Sequence, residues 1–316
     1  MMSSSSGGVF PLICGKIVDN NGVVFSVTRD SDNIVKYIKI DKKEEIPLIQ
    51  GSKYVQADTG IVFKRIKEEL NLGKTVLFSG CPCHVAALKS YVSGNCENLY
   101  LVSVICHGVP SQKMFSDYIR FLEKKHHGQL TDINFRDKEK RGWSITLSYI
   151  IEKHGKKQKY YESSKISAYF IGFLNGLTVR ESCHNCLFAG LNHESDIMLG
   201  DFWGYQEKYA SLKSDLGFSI FSINTAKGEQ LLSLIKTDLK YGAVDTSDVL
   251  NSLNTNLKGS TSINEKYDDL MRDYANHGFE YIAEKYLRPD HPVKEKLKNS
   301  LPTFVLKLIS KIKRRK

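Results

Sequence analysis

The chain has 316 residues, 41% of them hydrophobic and 10% aromatic, which supplies a real core and excludes disorder as its ground state. Lys and Arg outnumber Asp and Glu by 45 to 35, a net charge of +10 to which the closing KIKRRK contributes, so the surface attracts anions such as phosphates, nucleotides and acidic lipid headgroups. No apolar run approaches the roughly 20 residues that span a bilayer, and the opening MMSSSSGGVF lacks the basic and long apolar regions of a secretory signal, so a cytoplasmic location is expected.

In chain order, GVFPLICGKI is an apolar segment after a Ser/Gly run, and GVVFSVTRD and NIVKYIKID read as strands. GIVFKRIKEELNLGK carries apolar residues at helical spacing and ends on Gly. TVLFSG reads as a buried strand, HVAALKSYV as a helix, and LYLVSVICHG as a second apolar strand ending in Cys106, His107 and Gly108. QKMFSDYIRFLEKKHHG is an amphipathic helix, and DINFRD and WSITLSYIIEK return to strand character. The alternation predicts an α/β fold with a mixed, largely parallel sheet flanked by helices and a helical C-terminal extension. Ligands of such sheets collect beyond the carboxyl ends of the strands.

Cytoplasmic thiols are kept reduced, so the cysteines are expected as small hydrophobes, metal or cluster ligands, or catalytic groups rather than disulfides. Cys14, in PLICGKI, and Cys96, in SGNCENL, read as structural. Cys81, Cys83 and Cys106 stand at strand ends, and Cys183 and Cys186 form a C-x-x-C knuckle whose two thiolates can turn toward one metal. Thiols from three places fit either a [4Fe-4S] cluster or a tetrahedral zinc site, which His84, His107, His184 or His193 can complete. SSSSGG, Ser3 to Gly8, offers hydroxyls and open backbone N–H groups of the kind that cradle phosphates, against the plain reading of a loose terminus. GSKYVQAD, Gly51 to Asp58, adds a glycine, a lysine and a tyrosine suited to a flavin or nucleotide, against the plain reading of a surface loop.

The ordered motifs SSGGVF, GSKYVQAD, FSGCPCHVAALK, VICHGVPS, INFRDK, CHNCLFA and SDIMLGDFWG resemble the coenzyme F-420 hydrogenase/dehydrogenase β-subunit family from Ser3 to about residue 235. Members of that family are iron-sulfur flavoproteins, so the resemblance implies FAD, a [4Fe-4S] cluster and electron transfer to a small substrate or a deazaflavin. It nominates Cys83, Cys106, Cys183 and Cys186 as cluster ligands. Cys81 stands where the family's G-T-P-C-Q-V-A has threonine, and is left as a bystander. Ser5, Ser6, Gly7 and Gly8 correspond to a phosphate loop, and Ser52, Lys53, Tyr54, Arg136 and Asp137 to contacts around the nucleotide or ring. His107 is the candidate proton donor. Asp201 and Trp203 of LGDFWG have equally ordinary readings as a turn cap and a buried indole. Many relatives carry a ferredoxin-like segment before the Ser/Gly loop, where this sequence begins. An external electron donor such as a ferredoxin is therefore expected.

The domain organisation expected is 1–78 and 79–245 as two parts of the family core, then 246–316 as a helical extension. In its tail, Leu301, Val305, Leu308, Ile309 and Ile312 share one helical face among Lys307, Lys311 and the closing basic residues. That pattern suits either peripheral contact with an anionic membrane or docking on its own domain. Nucleic acid is a poor fit, because the basic run is short and no reader motif accompanies it. Three functions from different classes follow: a redox enzyme, an electron-transfer subunit for a partner protein, and a zinc-stabilised nucleotide-binding protein.

Overall fold

The computed structural model describes residues 2–93, 97–250, 253–302 and 304–305. Cys96 and most of the basic tail, residues 306–316, lie outside the described residues. Two compact units are present: one comprises Ser3–Gly108 and Glu181–Thr261, the other Val109–Arg180 and the described residues from Ser262 onward. They cut across the three consecutive segments expected above, because the chain leaves the first unit after Gly108 and rejoins it at Glu181.

The strands in chain order are β1 (Val23–Arg29), β2 (Val35–Ile40), β3 (Val76–Gly80), β4 (Leu99–Val104), β5 (Gln129–Asn134), β6 (Thr146–Lys153), β7 (Lys156–Ser163), β8 (Ile197–Asp201) and β9 (Ser219–Ile223). In the first unit the order is β2-β1-β3-β4-β8-β9. β1, β3, β4 and β8 pair in parallel, and β2 and β9 close the edges antiparallel. This is the α/β architecture with a mixed, largely parallel sheet that the alternation of elements predicts.

Every residue of β3 is buried, as expected for a central strand covered on both faces. On one face the helix Val9–Asp19 presents Val9, Ile13, Cys14 and Ile17 at helical spacing. They share a core with Leu231 and Ile235 of the helix Ala226–Ile235 and with Val24, Leu77, Val102, Ile197 and Leu199 of the sheet. Cys14 is thus a core side chain, and burial pushes its thiol far up. Phe78 points the other way, stacked on Tyr37 at 5.1 Å and edge-on to Phe63 at 6.1 Å. The helices Val62–Asn71 and Pro82–Val92 bury Val62, Ile66, Val85 and Leu88.

Asp196, buried just before β8, ties three elements together. Its carboxylate accepts the Leu101 N–H of β4 at 2.7 Å and the Thr225 hydroxyl at 2.6 Å, and Thr225 is the N-cap of the helix Ala226–Ile235. Its own N–H returns to Leu101 O at 2.8 Å.

The second unit holds the antiparallel sheet β5-β6-β7. The helix Gln112–His126, capped by the Ser111 hydroxyl on Met114 N–H, packs its aromatic face around Phe115 and Tyr118. Ring contacts at 5.0–5.8 Å join these two residues to Phe135, Tyr169 and Phe279. The C-terminal extension is helical over Tyr267–Lys285 and Pro292–Ser300, with a break at Gly278, whose φ of 79° suits glycine. The strands β7, β8 and β9 carry no clear signal in the sequence: KKQKYYES is mostly polar and exposed, and the two others are five residues long.

Replacing Asp196 by alanine leaves the Leu101 N–H and the Thr225 hydroxyl without their acceptor. We expect a loss of about 2–3 kcal/mol, read as a lower urea midpoint with unchanged slope.

Candidate functional site

The parallel strands end along one edge of the first sheet, and the predicted residues of this unit gather there. Arg29 ends β1, Cys81 follows the last residue of β3, Cys106 comes two residues after β4, and Asp201 ends β8. Ser219, the first residue of antiparallel β9, is paired with Asp201 and so lies at the same edge.

Cys81 is the extended N-cap of the helix Pro82–Val92, and Cys83 sits in its first turn behind Pro82, a residue suited to a helix start. Cys106 Sγ is 3.8 Å from Cys81 Sγ and accepts the Gly108 N–H at 3.4 Å. Gly108 has φ 103°, a conformation that favours glycine. Cys183, in the short helix Glu181–His184, and Cys186 just after it complete the group, and all five thiols are half-buried. They act on one another. Burial and then the neighbouring Cys106, Cys186 and Cys183 push the Cys83 thiol up to about 11. Cys81 is raised by its hydrogen bond with Cys106, by burial, and by Cys106, Cys83 and Cys183 as charges. Cys106 is lowered by the bond with Cys81, against burial, and by Gly108 N–H. Thiols this crowded resist ionisation together unless a cation takes the charge.

Two further groups at this edge escape a reading of the sequence. Tyr37 of β2 reaches the end of β3, where its hydroxyl stands 2.3 Å from the position a Cβ would take on Gly80. The same hydroxyl pairs with His84 Nδ1 at 2.9 Å, immediately after Cys83. Alternation along β2 carries no hint of a contact across β1 to β3. The second group is the segment Asn256–Thr261. The Asn256 side chain meets His107 Nδ1 at 3.2 Å, and Thr261 donates its hydroxyl to His107 O. Ser260 donates to His184 O at 2.6 Å, and His184 Nδ1 donates to Thr261 O at 3.0 Å. One short segment therefore holds both cysteine-bearing loops, 106–108 and 183–186, and His107 is fixed by it at both backbone and ring.

The Ser/Gly loop is folded against the same edge. Ser5 pairs with the Ser52 hydroxyl at 2.7 Å and accepts its N–H at 2.8 Å. Ser6 pairs with Ser219 at 2.8 Å, and Gly7 N–H donates to the same hydroxyl at 2.9 Å. A Cβ on Gly7 would stand 3.0 Å from the Ser219 nitrogen, so a side chain there forces the loop off β9. Gly8, at φ 87°, is the N-cap of the helix Val9–Asp19 and offers it no side-chain cap. Lys53 donates to Gln50 O at 2.8 Å, and burial together with the Arg29 guanidinium pushes it down to about 7. Tyr54 is half-buried beside it.

Arg136 and Asp137 belong to the second unit, where both are buried. Arg136 donates to Ser144 O at 3.1 Å. Asp137 accepts the Ser148 hydroxyl at 2.6 Å and pairs with Lys159 at 2.9 Å. Trp203 O accepts from the buried Asn254 side chain at 2.9 Å.

A family model that describes the C terminus of the coenzyme F420 hydrogenase/dehydrogenase beta subunit matches residues 73–248. The chain belongs to this family. It is thereby related to the beta subunits of a redox family, and the matched span contains all five thiols of the edge. In fold it is similar to a chain of the F420-reducing [NiFe] hydrogenase complex from Methanosarcina barkeri, seen in a xenon derivative, with a TM-score of 0.53, 15% identity and 91% of each chain covered. Comparison with curated proteins finds no match. No helix among the described residues is long and apolar enough to cross a membrane.

Removing the Thr261 hydroxyl by Thr261→Val cuts the tie to His107 O. We expect Cys106, Cys183 and Cys186 to react several-fold faster with a thiol reagent while circular dichroism is unchanged, as local opening requires.

Proposed function

We propose that this family member is a cytoplasmic iron-sulfur flavoprotein oxidoreductase acting on a small molecule or a deazaflavin. The observation that carries the reading is the convergence of five thiols, from segments 23 to 105 positions apart, on the carboxyl edge of a parallel sheet. Among the described residues no three His, Cys, Asp or Glu side chains are already closed around the place of a single ion. A cube-shaped cluster takes its thiolates at separate corners, which suits thiols drawn from three loops. Cys83, Cys106, Cys183 and Cys186 would hold it, and the positive charge of the irons would remove the cost of ionising them together.

The other half of the edge fits a dinucleotide. Ser5, Ser6, Gly7 and Gly8 would face its phosphates, at the N-terminus of the helix Val9–Asp19. Ser52, Lys53 and Tyr54 flank that loop, and an anion beside Lys53 would relieve the repulsion from Arg29. FAD bound there would supply two-electron chemistry fed by single electrons from an external donor such as a ferredoxin. The role of His107 is to hold a proton near that chemistry, its ring oriented by Asn256 and its backbone by Thr261. The structural neighbour is part of a hydrogenase complex, which favours a second reading: electrons passed on to a partner protein rather than to a free substrate.

Protein purified without oxygen should show the broad visible absorbance of an iron-sulfur protein with about four irons per chain. The Cys183→Ser, Cys186→Ser double variant should lose that absorbance and keep the flavin bands. One tightly held zinc and no flavin would overturn the reading. Lys53 gives a second measurement. Below about 7 the free protein already carries its proton, whereas above that pH an anion must recruit one on binding. Affinity for FAD should therefore fall as pH rises from about 7 to about 9, by at most about tenfold per unit. Lys53→Met should bind more weakly at low pH and lack the slope.

A further inference from the structure

Cys81 is the thiol that the four-cysteine assignment leaves out, and it touches one that the assignment uses. Its Sγ lies 3.8 Å from Cys106 Sγ, so a disulfide of ~2.05 Å requires the sulfurs to close by about 1.8 Å. The fold brings them to this distance by rigid means. β3 and β4 are direct neighbours, with Gly80 opposite Ser103, and Cys81 continues β3 in extended conformation, φ −63° and ψ 152°. On the other strand Ile105 N–H is bonded to Leu199 O at 2.8 Å, which extends the ladder to within one residue of Cys106. Both residues are half-buried. Cys83 sits two residues further on, inside the helix Pro82–Val92.

We infer that Cys81 and Cys106 form a reversible dithiol–disulfide couple, whose closure takes Cys106 out of service as a metal ligand. The oxidant is a low-molecular-weight disulfide such as oxidised glutathione. One of the two thiols, deprotonated, attacks a sulfur of that disulfide, forms a mixed disulfide and releases one glutathione thiolate. The second protein thiol then attacks the protein sulfur of the mixed disulfide, the Cys81–Cys106 bond forms, and the second glutathione leaves. Two protons and two electrons pass from the protein to glutathione, and a dithiol reductant reverses the step. Transient disulfides of this type are the form that persists in reducing compartments. The bond stands on the geometry alone. Its consequence for metal loading rests on the cluster reading above.

The test uses the full chain freed of metal and fully reduced, then exposed to oxidised glutathione, alkylated, digested and mapped by mass spectrometry. The expected result is a peptide pair joining Cys81 to Cys106, a thiol count lower by two, and loss of iron uptake from ferrous iron and sulfide, restored by dithiothreitol. Cys81→Thr should form no such pair and keep its iron uptake after the same treatment. Cys106 joined to another cysteine, glutathione adducts without an internal bond, or equal loss of uptake in Cys81→Thr would each overturn the inference. If the Cys81–Cys106 bond forms but the reduced chain takes up no iron, the couple stands and the cluster reading fails.

Discussion

Parallel pairing of β1, β3, β4 and β8 is the constraint on which the rest depends. Strands that run the same way end at the same edge, and each must be followed by a loop that turns back over the sheet. Cys81 with Cys83, Cys106 and Asp201 come to one line because of this polarity and for no reason local to any of them. The antiparallel edge strand β9 joins the line from its opposite end, with Ser219, and gives the Ser/Gly loop its anchor. A sheet in which β3 or β4 ran the opposite way would scatter these groups to both edges.

The electrostatics of that edge are of two kinds, side by side. Cys81 and Cys83 are pushed toward their neutral forms by burial and by neighbouring thiols, whereas Lys53 is pushed toward neutrality by burial and Arg29. One region is short of positive charge and the other of negative charge, and each is relieved by the ligand class its residues select. Structural hydrogen bonds hold both arrangements: Asn256, Ser260 and Thr261 for the thiol loops, Ser52 and Ser219 for the phosphate loop.

Much of this was legible in the sequence where a residue type has one strong preference. The apolar runs around Leu77 and Val102 predict buried strands, and HVAALKSYV predicts the helix that follows Cys83, because burial and periodicity act locally. The Ser/Gly run and the C-x-x-C knuckle announce themselves by composition. What stayed hidden depends on distance along the chain. The contact of Tyr37 with Gly80, and that of Ser6 with Ser219 across 213 positions, have no periodic trace. The brace Asn256–Thr261 reads as an ordinary polar loop, since Asn, Ser and Thr satisfy backbone groups wherever the fold presents them. Asp137 shows the opposite case: a charged residue in a suggestive motif whose carboxylate is occupied by Ser148 and Lys159.

The first unit is discontinuous, and this orders events in time. Cys81, Cys83 and Cys106 leave the ribosome well before Cys183 and Cys186, and the residues that lock both loops follow only at positions 256–261. Between the two halves the chain makes all of Val109–Arg180, a sheet and helices of the second unit. Since synthesis adds about 5–20 residues per second, the early thiols wait on the order of ten seconds for their partners. Throughout that interval the loops that carry Cys81, Cys83 and Cys106 lack the hydrogen bonds from Asn256 and Thr261 that hold the second of them in the finished fold.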